Sequence, residues 1–433
     1  MTRSPLPNAL RPSTRMSTLR LAVALLVVVT GLSVAASFAT YDTAATQGSA
    51  PGVGGTLVAT IDATGPGQIV AYHPNGSVMY HNETYGIYHD VDPAPTGSDT
   101  VEYVATYHNE SDACAGETCS VDVVERVNLT TDETTRLHTI VDTENGSSDD
   151  HDVDRINESV LLFANINYPD SVFMVNTTTD ETIWEWRVSE DYAPESGGSY
   201  PGDWTHLNDV EYLPDGRVMV DLRNQDQVVF VDPGAGLQEN WTLGADGDHE
   251  ILYEQHNPDY IPEARGGPAV VVADSENNRI VEYQREDGEW QRSWRWADSR
   301  LSWPRDADRL PDGRTLIADS HGSRILTVNR NGSVSWSRDF PDGVYDVEIL
   351  ETGDESANGS SAAALGLESG GVGVGWTATF ARLPRLVPPV VLHGLLYSLP
   401  LWVTPFDAFL LVVSGVAVAL LGVGEAVRWY RSS

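Results

Sequence analysis

The sequence predicts an all-β fold: a six-bladed β-propeller with N-terminal and C-terminal transmembrane segments. Three observations predict it. A five-residue pattern recurs six times, as His89-Asp-Val-Asp-Pro93, His151-Asp-Val-Asp-Arg155, Asn208-Asp-Val-Glu-Tyr212, His256-Asn-Pro-Asp-Tyr260, Arg305-Asp-Ala-Asp-Arg309 and Tyr345-Asp-Val-Glu-Ile349. The copies lie 62, 57, 48, 49 and 40 residues apart, with short alternating strands between them, which is the signature of propeller blades. The ends of the repeat region also complement each other. Three strands between Gly55 and Tyr85 lack a copy of the pattern, and the last copy, at Tyr345, is a strand with nothing after it. If Tyr345–Leu350 supplies the inner strand of the 55–85 blade, the ring closes with no free edge.

Composition narrows the function classes. The chain has 433 residues and a formal charge of −37, from 63 acidic and 26 basic residues, and every basic residue is Arg. Such an acidic, Lys-free surface resembles those of extreme halophiles, where carboxylates hold water against salt, and it speaks to solubility rather than fold. No basic face is available to neutralise phosphates, so nucleic acid is excluded as a partner. Disorder is expected at about 40–52 and 352–372, where regular apolar alternation is missing.

Taken in order, residues 1–40 read as a signal-anchor or a signal peptide. Arg3, Arg11, Arg15 and Arg20 precede the apolar run Leu21–Ala39; its length favours an anchor, while Ala35-Ala36-Ser37-Phe38-Ala39 offers a cleavage site. A linker, 41–54, leads to the propeller, 55–351, and a flexible linker, 352–380, follows it. The C-terminal membrane region, 381–433, has a span at about 408–427, ahead of Arg428 and Arg431. A second apolar stretch, 386–405, is broken by Pro388, Pro389 and Pro400 and reads as another span or an interfacial segment. The Arg-rich flanks put the ends of the chain inside the cell membrane and the propeller on the extracytoplasmic side. Ten Asn-X-Ser/Thr sequons between the apolar ends agree with export and glycosylation. Cys114 and Cys119, the only cysteines, then close a local loop as a disulfide.

Within the propeller, blades are expected at about 89–140, 151–188, 208–243, 256–297 and 305–339, besides the closing blade. Pro214-Asp-Gly-Arg217 and Pro311-Asp-Gly-Arg314 carry turn chemistry, Pro presetting φ and Gly accepting a positive one. Val160–Asn165, Ser171–Val175 and Ile183–Val188 are strands of the third blade, and Asn240-Trp-Thr is the outer strand of the fourth. Trp186, Trp241, Trp296 and Trp336 fall near equivalent outer positions and read as packing residues. Ala273–Ile280 and Ala318–Ile325 are equivalent and look like the turn between strands two and three of NHL-type propellers. The same turn holds Asn167, Arg223, Ser275 and Ser320 in successive blades.

In a propeller blade the inner strand starts at the face to which the second strand returns. That brings His89, His151, His206, Asn208, Arg223, His256, Arg305, His321 and Arg324 to one mouth. Clustered His and Arg in so acidic a chain favour an anionic ligand such as sulfate or phosphate. The Asp at the second position recurs whatever residue leads the copy, so it reads as scaffold between blades, and no metal site is expected. No cofactor is expected either: there is no Gly-x-Ser-x-Gly elbow, P-loop or strand-linked Gly-x-Gly-x-x-Gly.

Asp203-Trp-Thr-His206-Leu-Asn208, Val220-Asp-Leu-Arg223-Asn-Gln225 and Glu254-Gln-His256-Asn-Pro-Asp259 resemble the arylsulfotransferase family. The resemblance covers about 89–350 and is densest over 203–260. It implies a six-bladed propeller that moves a sulfuryl group from an aryl sulfate to a phenol through a sulfohistidine, without a nucleotide donor. By matching motif, His256 is then the nucleophile, His206 and Arg223 hold the sulfuryl oxygens, and His151 is a further contact. Asn208, Arg305 and His321 complete the expected substrate-binding set, although the family assigns Arg305 no role. The chain departs from the bacterial pattern at Asn224, where His often follows the Arg, and in its membrane segments. The rival expectation is a non-catalytic cell-surface propeller that binds an anionic or glycan ligand or a partner protein.

Overall fold

The computed structural model describes residues 14–40, 52–62, 67–109, 114, 119–142, 150–340, 343–370, 383–400 and 402–432. Six antiparallel sheets form six blades. Blade one takes its inner strand from the far end of the repeats: Val344–Ile349 pairs with Leu57–Ile61, Leu57 lying opposite Ile349, ahead of Gln68–Tyr72 and Val78–Asn82. This is the closure expected from the unmatched ends.

The inner strands of blades two to six are Ile87–Pro93, Asp150–Asn157, Leu207–Tyr212, His256–Ile261 and Pro304–Asp306. The second strands are apolar and buried on both faces, as in Val218–Leu222 and Ala269–Asp274, because each sheet is covered by a blade on either side. Outer-strand tryptophans close the interblade layers: Trp296 is fully buried and its Nε1 donates to Gly332 O at 2.9 Å. Blade four departs from expectation. Its edge is two two-residue strands, Gly236–Leu237 and Leu243–Gly244, on either side of a 3-10 turn at Glu239–Trp241. Trp241 is held there by the guanidinium groups of Arg217 and Arg285, 3.8 and 4.2 Å from its ring. Cys114 and Cys119 form a disulfide.

The recurring pattern has a structural reason. Its second-position carboxylate accepts the third-position N–H of the next blade, as Asp346 does from Val91 (2.8 Å) and Asp152 from Val210 (2.5 Å). Its fourth-position carboxylate accepts the fifth-position N–H of the next blade, as Asp154 does from Tyr212 (2.6 Å) and Glu211 from Tyr260 (2.8 Å). These carboxylates stitch the inner strands together around the axis and satisfy backbone donors that a propeller leaves unpaired there. Burial raises Asp154 and Asp346 to about 7, with the carboxylate of Asp354 adding to it.

The segment after the propeller is not the flexible linker expected for 352–370. Ser356 Oγ bonds the Asp259 carboxylate and Arg309 N, and Ala362 N donates to Glu282, which also pairs with buried Arg309. Polar Asp354-Glu355-Ser356 looks disordered in sequence because its apolar content is low, but here it meets the fourth-position carboxyl groups of Asp92, Glu348 and Asp259 on the inner strands. The remainder of that expected linker, 371–380, and most of the one at 41–54 lie outside the described residues.

Helices Thr14–Thr40 and Pro405–Ser432 are long and apolar enough to cross a membrane, each about 40 Å at the usual rise per residue. They run antiparallel. Arg20 pairs with Glu425 at one end (2.8 Å), Thr30 meets Ser414 midway (2.6 Å), and Ser33 and Ser37 donate to Asp407 at the other. Between them and the propeller lies a ten-residue helix, Pro389–Ser398, about 15 Å long and too short to span.

Candidate active site

Carboxylates at the ends of second strands, or in the turns that follow them, fix the loops that enter the inner strands. Asp170 accepts Thr205 N (3.0 Å), Asp226 accepts Glu254 N (2.9 Å), Asp274 accepts Tyr253 N (2.9 Å) and Asp319 accepts Ser302 N (2.8 Å). Each loop then turns sharply. His206, Glu254 and Trp303 have φ of 49°, 42° and 51°, a region that side chains with a Cβ rarely adopt. Each stands two residues before the leading residue of a pattern copy: Asn208, His256 and Arg305. All three border the same cavity, and strain held at such a place is a mark of function.

The cavity has a volume of about 350 Å³ and lies at the mouth of the propeller. Six of the seven expected catalytic and binding residues line it together: His256, His206, Arg223, His151, Asn208 and Arg305, joined by His89. His321 does not. It lies behind Trp303, whose ring is 4.4 Å from His321 and 5.5 Å from His256 on its other side, and it faces a second cavity. Arg324 is not on the rim either, because Asp319 and Asp298 hold its guanidinium in structural pairs.

His256 is 2% exposed and its Nδ1 lies 2.8 Å from Ser275 Oγ. The Ser275 hydroxyl has one proton, and Pro304 O accepts it at 2.7 Å. The serine oxygen must therefore accept from His256 Nδ1–H, which leaves the Nε2 lone pair free. Burial, followed by the charges of Arg223 and Arg305, holds this imidazole well below the usual histidine range, so it is neutral at neutral pH.

His206 pairs with Asp203, Nδ1 to Oδ1 at 2.6 Å. The hydrogen bond from His206 pulls the Asp203 carboxyl down to about 2. Burial and Arg223 still lower His206, against the pull of Asp203. A neutral ring that donates from Nδ1 keeps Nε2 as an acceptor. His89, His151 and His206 form a file, with ring centroids 4.4 and 5.1 Å apart. Burial brings His89 down to about 4, so His89, like His206, is uncharged at neutral pH.

Two arginines supply the positive charge. Arg223 Nη2 pairs with Glu254 at 2.5 Å, and Arg305 Nη1 with Asp62 at 2.8 Å. The Arg305 guanidinium lies over the rings of Trp303 (4.4 Å) and Tyr345 (5.0 Å). The Nε of both arginines is buried and has no partner among the described residues. Such donors suit the oxygens of a bound anion. Tyr345, expected to be structural, is central: its hydroxyl donates to Asn208 O at 3.3 Å, and its ring meets His89, His151 and His256. Burial raises its phenol well above the ordinary range, so it stays protonated.

Asp62, Asp203, Glu254, Trp303 and Tyr345 were outside the expected set. The signal for Glu254 and Trp303 was present in His206, since all three share the place two residues before a copy. Val390, His393, Gly394 and Tyr397 of the short C-terminal helix also line the cavity, and no repeat logic points to them. Among the described residues, the groups spaced to share a cation are Asp92 with Asp154 and Asp354, and Asp259 with Asp306 and Asp308; none of these lines the cavity.

No curated protein matches the chain. Solved structures of low identity do. A protein of unknown function from Bacteroides caccae is 10% identical, with 68% of this chain and 98% of that one covered and a TM-score of 0.46. The periplasmic gluconolactonase PpgL of Pseudomonas aeruginosa is 13% identical, with 68% and 98% covered and a TM-score of 0.44. Virginiamycin B lyase of Staphylococcus aureus is 9% identical, with 71% and 97% covered and a TM-score of 0.40. The model of one family, described as Arylsulfotransferase (ASST), matches residues 60–292, a segment that contains His151, His206, Asn208, Arg223 and His256. With more than half of its length so matched, the chain belongs to the arylsulfotransferase family.

Proposed function

We propose that this arylsulfotransferase works through a sulfohistidine on His256, with its propeller on the extracytoplasmic side of the membrane. One observation carries the reading: His256 is neutral, its Nδ1–H is committed to Ser275, and its Nε2 is free in a cavity with two arginines.

In the first half-reaction Nε2 attacks the sulfur of an aryl sulfate. The N–S bond forms, the S–O bond breaks, and the phenolate leaves with the bonding pair. Arg223 and Arg305 meet the charge on the sulfuryl oxygens as it shifts. The ring is left cationic, and the Ser275–Pro304 chain accepts its Nδ1–H. In the second half-reaction an acceptor phenol gives its proton to His206 Nε2, steadied by Asp203. Its oxygen then attacks sulfur, and the N–S bond breaks back onto His256. Asp203 makes His206 a better base than oxygen donor, so the arginines hold the sulfuryl group. His151 and Asn208 border the cavity beside them.

The antiparallel helices put Arg20 and Arg428 at the end opposite the propeller. The disulfide and the sequons favour an exported propeller. The acidic, Lys-free surface favours assay in high salt. The test is incubation of the full-length protein with a chromogenic aryl sulfate and a phenol. Transfer, a burst of phenolate and a sulfuryl-labelled His256 are expected, all lost in His256→Ala; an unlabelled protein that still transfers sulfate overturns the histidine route.

A further inference from the structure

The short helix Pro389–Ser398 is a wall of the site. His393 is 2% exposed, and its Nδ1 meets Glu276 Oε2 at 2.8 Å. Its ring lies 5.9 Å from Trp303 and 5.5 Å from His321. Leu392 and Leu396 pack with Val387 and with Ala408 of the C-terminal span, so this wall is fixed to that helix.

Behind His393 lies the second cavity, of about 450 Å³, which shares Glu276 and His393 with the first. Its walls differ. On the propeller side are polar turns, with buried His321, whose Nδ1 has no partner among the described residues. On the other side are Pro384, Val387, Pro389, Leu392, Pro405 and Phe406, apolar apart from their neighbour Thr404. Pro405 and Phe406 open the C-terminal span itself. Phe38 and Trp402, 5.3 Å apart, mark the propeller-side end of the helix pair, the place where aromatic side chains sit at a membrane–water boundary. The chamber therefore lies between the His393–Glu276 wall of the catalytic cavity and the level where the bilayer begins.

Resting on the sulfotransferase reading above, we propose that the acceptor is a membrane-partitioned phenol, an aromatic alcohol with an apolar chain. It enters sideways from the bilayer, with its hydroxyl in the His256 cavity and its chain in the chamber beside His393. A soluble phenol has no use for an apolar wall continuous with a membrane span. A long-chain phenol pays little to pass from lipid into such a chamber, because its chain stays out of water throughout.

The test uses full-length protein in lipid vesicles, a soluble chromogenic aryl sulfate as donor, and phenol or 4-dodecylphenol as acceptor. The wild type is expected to prefer dodecylphenol. Ser299→Trp, on the polar rim of the chamber, is expected to lower the ratio of kcat/KM for dodecylphenol over phenol at least tenfold. Its phenolate burst from the donor reports that the fold and the first half-reaction persist. As a second measurement, a photoreactive dodecylphenol is expected to label residues 384–406. Transfer to phenol with none to dodecylphenol overturns the proposal alone, as does an unchanged ratio in Ser299→Trp with no labelling. Absence of transfer to both acceptors in the wild type overturns the sulfotransferase reading and this proposal with it.

Discussion

Replacement of Ser275 by Ala tests the catalytic geometry without touching any group that meets sulfur. The Ser275 hydroxyl spends its proton on Pro304 O at 2.7 Å and so accepts from His256 Nδ1 at 2.8 Å. In Ser275→Ala that nitrogen loses its partner inside a site where His256 is 2% exposed. A buried donor left unmet costs about 1–3 kcal/mol. The cost falls on the tautomer that attacks and grows as the ring becomes cationic. Since about 1.4 kcal/mol is a tenfold change in rate, sulfohistidine formation should slow roughly ten- to hundredfold. The assay is single-turnover release of a chromogenic phenolate, which isolates the first half-reaction from acceptor binding. Ser275→Thr keeps the hydroxyl and should recover most of the rate. If Ser275→Ala forms the intermediate at the wild-type rate while its folding is unchanged, the serine does not set the tautomer and the account of His256 fails.

Asp203→Asn removes the carboxylate that steadies His206 (2.6 Å) and should slow transfer to the phenol by about 10²–10⁴ while the burst survives; loss of the burst instead would place His206 in the first step. Because His256 is held below the usual 6.5, the acid limb of kcat/KM for the donor should fall below that pH, and a limb at or above it contradicts a buried neutral nucleophile. Asp154, raised to about 7, is neutral when folded and ionised when unfolded over the window between its ordinary 3.8 and 7, so wild-type stability declines as pH rises through it. Asp154→Asn should therefore gain Tm over wild type from about pH 4 upward and level off above about pH 7, and melting curves with a pH-independent difference would refute this. Paired cysteines at Thr30 and Ser414, whose hydroxyls are 2.6 Å apart, should cross-link on oxidation, read as a gel shift; a failure to cross-link speaks against the antiparallel helix pair.

The propeller was legible because its inner strands repeat for a physical reason. Each copy must present carboxylates to the backbone of the next blade, so Asp or Glu recurs at fixed offsets however the leading residue varies. That regularity also exposed the leading residues as the variable set, and all six of them, His89, His151, Asn208, His256, Arg305 and Tyr345, line the cavity. The same logic misjudged its ends. Tyr345 looked structural because it closes the ring, but closure brings its phenol to the axis among the histidines. His321 looked like a site residue because its turn matches that of Ser275, but the ring of Trp303, held at positive φ, stands between it and His256. Residues outside the repeat carry no such phase. His393 stands in an apolar stretch whose composition reports only affinity for lipid, and nothing local in it encodes the carboxylate of Glu276, 117 residues away, that draws it over the mouth. The floor of the cavity is thus written in the period of the blades, whereas the wall built by Pro389–Ser398 is written in a contact between two elements that share no pattern.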